Sequence, residues 1–215
     1  MYKKIALAAV IGAFIAGCAS QQAPEESKKA AAAAKPAPKL MTGAGAGMLA
    51  DTCAGCHGTD GVSGGPATPT IAGMSEDYLV ETMNAYKSGE RGSTIMGRIA
   101  KGYLDEEIAA MAKHYAALPY KGHTQVKVSS KAKAGHKLHD KYCEKCHEDG
   151  ASSIEDDSGL LAGQWMPYVH WTIDDYVAGR STTSEKKMSK ALKKMLDAHG
   201  PASVENLVHF YGSRK

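Results

Sequence analysis

The sequence is poor in aromatic bulk: it holds 2 Phe and 2 Trp, and aromatics make up only 7% of its 215 residues. Two ordinary cores built from such material would be thinly filled. It lacks a strong charge of either sign. Its 26 Lys+Arg against 23 Asp+Glu leave a formal charge of +3, without the basic excess of a nucleic-acid-binding chain, so no nucleic-acid partner is expected. It lacks a G-x-G-x-x-G segment, so the chain is not expected to bind a flavin dinucleotide itself. At 43% hydrophobic it is too apolar to be wholly disordered. Its 5 Cys are odd in number, so disulfide pairing leaves one over.

What is present begins with Lys3 and Lys4, followed by an uncharged apolar run from Ile5 to Ala16. That run is shorter than the roughly 20 residues that span a bilayer and suits the core of a signal peptide. It ends Ile15-Ala16-Gly17-Cys18, which resembles the lipobox of bacterial lipoproteins. Residues 1–17 are therefore expected to be a lipoprotein-type signal peptide, with Cys18 lipidated. The chain is then expected in the periplasm, held to a membrane through that lipid anchor. Ala19 and Ser20, with no Asp behind the Cys, favour the outer membrane by the same resemblance. Residues 18–40 are rich in Ala, Lys, Pro and Glu and read as a disordered tether.

An internal repeat organises the rest. Cys53-Ala54-Gly55-Cys56-His57 recurs 90 positions later as Cys143-Glu144-Lys145-Cys146-His147. The same shift carries Ile71-Ala72-Gly73 onto Leu161-Ala162-Gly163, Tyr78 onto Tyr168, Tyr86 onto Tyr176 and Gly89 onto Gly179. Two related domains follow, 41–118 and 134–213, joined by a lysine-rich linker, 119–133. Both read as all-α. Ile108, Met111, Ala112, Tyr115 and Leu118 share one helical face behind Asp105, the expected N-cap; Ser203 stands likewise before Val204, Leu207, Val208 and Tyr211. Helices are also expected around Tyr78–Tyr86 and Tyr168–Tyr176.

C-x-x-C-H is the attachment sequence for c-type haem. One turn of chain sets two thiols and an imidazole around one macrocycle. A single copy would equally suit a redox dithiol or half a zinc site. Two copies, each with its His, point to two covalently bound haem c groups, on Cys53 and Cys56 and on Cys143 and Cys146, with His57 and His147 as axial ligands. The cysteine count then closes, with Cys18 the fifth. For the opposite axial positions, Met96 and Met188 lie 39 and 41 residues after their histidines, in matching repeat positions. Met74, Met83, Met111, Met166 and Met195 have no repeat partner. The competing reading places Met188 in an apolar stripe with Ala191, Leu192, Met195 and Leu196. The remaining histidines have no paired register and read as surface or structural groups.

Pro69-Thr70-Ile71-Ala72-Gly73 resembles the class I cytochrome c segment whose proline carbonyl holds the proximal histidine; the shift sets Gly159 opposite Pro69, so the second domain departs there. Longer stretches, Cys53–Gly61, Ser93–Tyr103, Lys137–His147, Leu161–Tyr168 and Glu185–Ser189, resemble the cytochrome subunits of flavocytochrome c sulfide dehydrogenases. That resemblance covers nearly all of 41–211. It implies two tandem class I cytochrome c domains, each wrapped around one haem. It also implies a non-catalytic electron-transfer subunit whose partner is an FAD-containing sulfide dehydrogenase flavoprotein, with a downstream cytochrome or other acceptor. The lipobox and tether depart from that family, which leaves a stand-alone membrane-tethered carrier, feeding an oxidase or reductase, as the alternative. Residues 41–120 hold 5 basic and 9 acidic side chains, net −4; residues 121–215 hold 15 and 12, net +3. Lys186, Lys187, Lys190, Lys193 and Lys194 read first as a solvated helix face and second as a docking surface.

Overall fold

A computed structural model describes residues 43–154, 158–181 and 186–214, all within one compact unit. The expected signal peptide, the tether and Cys18 lie outside the described residues, as does Glu185. Among the described residues the secondary structure is helical, without strands. The first repeat holds α1 (Ala46–Asp51), α2 (Ala54–His57), α3 (Glu76–Ser88), α4 (Met96–Ile99) and α5 (Asp105–Ala116). The second holds α6 (Ser129–Tyr142), a distorted turn α7 (Glu148–Ala151), α8 (Met166–Val177), α9 (Lys186–His199) and α10 (Ala202–Tyr211). None of these helices is long and apolar enough to cross a membrane.

Local chemistry sets the helix ends. Ser75 caps α3 by accepting the Tyr78 N–H at 3.1 Å, and Gly89 closes it in the left-handed region. Asp105, expected as a cap, is instead the first residue of α5 and pairs with Lys87 Nζ at 2.8 Å. Glu107 takes over at that helix start, its carboxylate accepting the Leu104 N–H at 2.9 Å. Ser203, also expected as a cap, sits one residue inside α10 and donates its hydroxyl to the Gly200 carbonyl at 2.5 Å. Helix α6 begins at Ser129, so it takes up the last five residues of the expected linker. The stretch after Pro119 is tied down as well. The His123 N–H donates to the Gly163 carbonyl and the Gln125 amide to the Gln164 carbonyl, each at 2.8 Å.

In each repeat the helix before the Cys pair packs on the last helix, α1 on α5 and α6 on α10. Leu49, Ala50, Met74, Leu79, Ile108, Met111 and Tyr115 form the first core; Leu138, Val169, Ile173, Leu192, Met195, Leu207 and Tyr211 form the second. Leu160, from the second repeat, is buried in the first repeat's core. A seam of hydrogen bonds runs beside it. The Gln164 side chain accepts the Thr70 N–H at 3.0 Å and donates to the Thr70 carbonyl at 2.9 Å, with both residues fully buried. The Trp165 indole donates to the Ser63 carbonyl at 3.1 Å and the Tyr120 hydroxyl to the Ala162 carbonyl at 2.7 Å.

Candidate functional site

Both Cys motifs fold into the same turn. The His57 N–H donates to the Cys53 carbonyl at 2.9 Å, and the His147 N–H to the Cys143 carbonyl at 3.0 Å. Downstream, the N–H groups of Ile71 and Ala72 meet the Gly61 carbonyl, and those of Leu161 and Ala162 meet the Ala151 carbonyl. All three pairs of bonds obey the 90-residue register. Position 61 has φ +72°, the left-handed region that suits glycine; its counterpart Ala151 keeps the same conformation at φ +68°.

The first motif opens on a cleft with mostly apolar walls. Cys53, His57, Pro69 and Met96 all line it. His57 is buried, and its Nδ1 donates to the Pro69 carbonyl at 2.8 Å. That bond fixes the proton on Nδ1 and leaves Nε2 with a lone pair for a metal. Burial lowers the His57 pKa against the opposing pull of the Pro69 carbonyl, which keeps the ring neutral as a ligand must be. Burial likewise raises the Cys53 thiol, and pushes the Cys143 thiol up to about 11. A redox-active dithiol needs the opposite shift. None of the four motif cysteines is in a disulfide. An apolar cleft lined by one cysteine sulfur, a tautomer-fixed imidazole and a thioether sulfur, with a second free cysteine in the same turn, fits a covalent haem.

Met74, Met83 and Met111 line this cavity too. Met74 and Met111 are buried core residues and Met83 packs against that core, whereas Met96, at the start of α4, belongs to no core cluster. In the second repeat, Cys143, Met166, Tyr168 and Met188 are partly buried against one core cluster. Met195 is wholly buried inside it, and Met166 lies against Gly212. Met188 is thus both on the expected apolar stripe of α9 and in contact with the core that receives Cys143. The α9 lysines are exposed, and Lys193 pairs with Asp197 at 2.8 Å.

The position opposite Pro69 differs for a backbone reason. Gly159 has φ +72°, which proline's ring forbids, and a Cβ there would meet the Tyr78 ring at 2.5 Å. The second loop is shaped by a tyrosine from the first repeat. Of the unpaired histidines, His139 is fully buried: its Nε2 donates to the Glu144 carboxylate and its Nδ1 accepts from the Tyr211 hydroxyl at 3.1 Å. His123 bonds the Thr70 hydroxyl at 2.7 Å and stacks on Trp165. Sequence reasoning missed Gln164 and Arg91. Their only signal is polarity at positions that the repeat does not share as such.

A family model for cytochrome c matches residues 42–118. The cytochrome subunit of sulfide dehydrogenase from Chlorobaculum tepidum is 46% identical over 91 residues, covering 42% of this chain and 82% of that protein. The thiosulfate dehydrogenase electron acceptor of Thiomonas intermedia is 28% identical over 168 residues, covering 73% of this chain and 77% of that protein. Among solved structures, reduced recombinant cytochrome c4 from Pseudomonas stutzeri superposes with a TM-score of 0.67 at 23% identity, over 80% of this chain and all of the other.

Proposed function

Since the chain belongs to the cytochrome c family, as a dihaem electron-transfer protein with two tandem class I domains and two covalent haem c groups, we propose that it is the haem subunit serving a sulfide-oxidising, FAD-containing flavoprotein. The observation that carries this reading is the 46% identity to a sulfide dehydrogenase cytochrome subunit across 82% of that protein. Each haem, when bound, supplies a one-electron iron couple. Cys53 and Cys56 would hold the first by thioethers, and Cys143 and Cys146 the second. His57 and His147 would each offer an imidazole nitrogen to the iron, and Met96 and Met188 a thioether sulfur, a donor pairing that raises the potential. Pro69 aligns His57. The apolar walls exclude water, so that little solvent rearranges when charge moves. Cys18 carries the lipid that holds the protein to the membrane on the periplasmic side, and a downstream cytochrome or other acceptor takes the electrons onward.

The test is reconstitution. The protein is purified from its native host, and the co-purifying flavoprotein, or a recombinant one, is added with sulfide under anaerobic conditions. Reduction of both haems at a rate that saturates with flavoprotein is expected. Absence of any sulfide response with an active flavoprotein would return the chain to the stand-alone carrier. Membrane release of a Cys18→Ser variant checks the anchor.

A further inference from the structure

Arg91 stands out among the charged groups of the seam. It follows α3 in a turn that both repeats share: the Arg91 N–H meets the Ala85 carbonyl at 3.0 Å, and the N–H of its counterpart Ser181 meets the Asp175 carbonyl at 3.2 Å. The repeat therefore preserves the backbone and changes the side chain. Arg91 is only 8% exposed. Its Nη1 donates to the Thr82 hydroxyl at 3.1 Å, its Nη2 to the Tyr168 hydroxyl of the second repeat at 3.4 Å, and its guanidinium lies 5.2 Å from the centre of the Tyr86 ring. Burial keeps the Tyr86 and Tyr168 phenols neutral. Among the described residues no carboxylate forms an ion pair with it.

A buried cation with neutral partners is costly, and natural chains pair such a group. Thr82, Tyr86 and Tyr168, which hold Arg91, are themselves walls of the cavity that His57 lines. A haem carries two carboxylates, and a guanidinium fork suits carboxylates better than any other cation. We propose that Arg91 is the counter-ion of the haem carboxylates at the seam between the repeats, a positioning residue that holds the first haem and sets its potential against the second. The repeat gives the seam one such cation, because the equivalent position in the second half is a buried serine. The charge therefore acts unequally on the two irons. It favours the reduced, less positive state of the nearer iron.

The test is spectroelectrochemical titration of the holoprotein, with haem content and melting temperature measured alongside, in wild type, Arg91→Lys and Arg91→Gln. In Arg91→Gln one haem's midpoint should fall by the equivalent of about tenfold in its redox equilibrium, or about 59 mV for one electron. The other should move much less. Arg91→Lys keeps the charge but loses the fork, so its fall should be about threefold. If Arg91→Gln does not mature, the Arg91→Lys shift decides alone. Shifts under twofold in whichever variants mature would overturn the proposal. So would equal falls in both variants, or equal falls at both haems, because then charge at one haem is not what the residue supplies.

Discussion

Replacing Gln164 tests whether one repeat holds His57 of the other in place. Its side chain closes a two-way bond with the Thr70 backbone, at 3.0 and 2.9 Å, and both residues are fully buried. Thr70 directly follows Pro69, whose carbonyl holds His57 Nδ1 at 2.8 Å. Gln164→Leu preserves size and leaves one N–H and one C=O without partners in a dry seam. At about 1–3 kcal/mol for each such group, the loss is about 2–6 kcal/mol. For a chain of this size, about 3 kcal/mol corresponds to a melting temperature lower by roughly 6–12 °C. A second consequence is local. A bond from the imidazole N–H to a carbonyl makes the histidine a more basic ligand, so loosening it should raise the first haem's potential and leave the second's in place. The assay is thermal unfolding of the holoprotein followed at each haem, with redox titration of both. A melting temperature within 2 °C of wild type, or equal potential shifts at both haems, would refute the reasoning.

Further outcomes follow from the two repeats. Gly61→Ala should cost about 1–3 kcal/mol, since its Cβ would meet the Tyr115 ring at 2.7 Å, whereas Ala151 is accommodated at the equivalent position; chemical denaturation measures this. Acid should weaken the second repeat. Burial lowers His139 from 6.5, and Glu144 is lowered because hydrogen bonds from His139 and the Gly150 and Asp149 N–H groups outweigh its own desolvation. Both folded-state values lie below the unfolded ones, so this stability is present above about pH 6.5 and is lost as the pH falls through the folded-state values. A His139→Gln variant should flatten the slope of stability against pH between 6.5 and 4.5. Changing Cys143 and Cys146 together to Ala should leave one covalent haem per chain, which mass spectrometry reads directly.

The repeat register explains how much of this was legible beforehand. Identities at a shift of 90 located both Cys motifs, the Ile71 and Leu161 segments and the Tyr78–Tyr86 and Tyr168–Tyr176 helices, because each copy must build the same turn around the same kind of group. Helix starts were less legible. Asp105 and Ser203 are good caps by type, yet Glu107 and the Pro201 turn supplied those ends by contacts one to three residues away. Residues 119–133 read only as a linker because composition cannot show that His123 and Gln125 find carbonyls of the second repeat.

The positions where the copies disagree are informative in another way. Pro69 against Gly159 and Arg91 against Ser181 are departures from the repeat, and each lies where one half meets the other. A duplicated domain facing its own copy across a pseudo-symmetric seam cannot satisfy both sides with the same side chain. One tyrosine must fill the space that the other side vacates, and a buried arginine on one side answers to a buried serine on the other. Leu160 filling the first core and Gln164 holding the Pro69 loop follow the same logic. The first haem site is therefore not a self-contained module. The loop that holds His57 is braced from the second repeat, and the cavity wall includes Tyr168. An isolated first domain, with Leu160, Gln164 and Tyr168 removed, should lose much of the constraint on His57. The coupling between the two halves is built from the residues that a comparison of the repeats would set aside as mismatches.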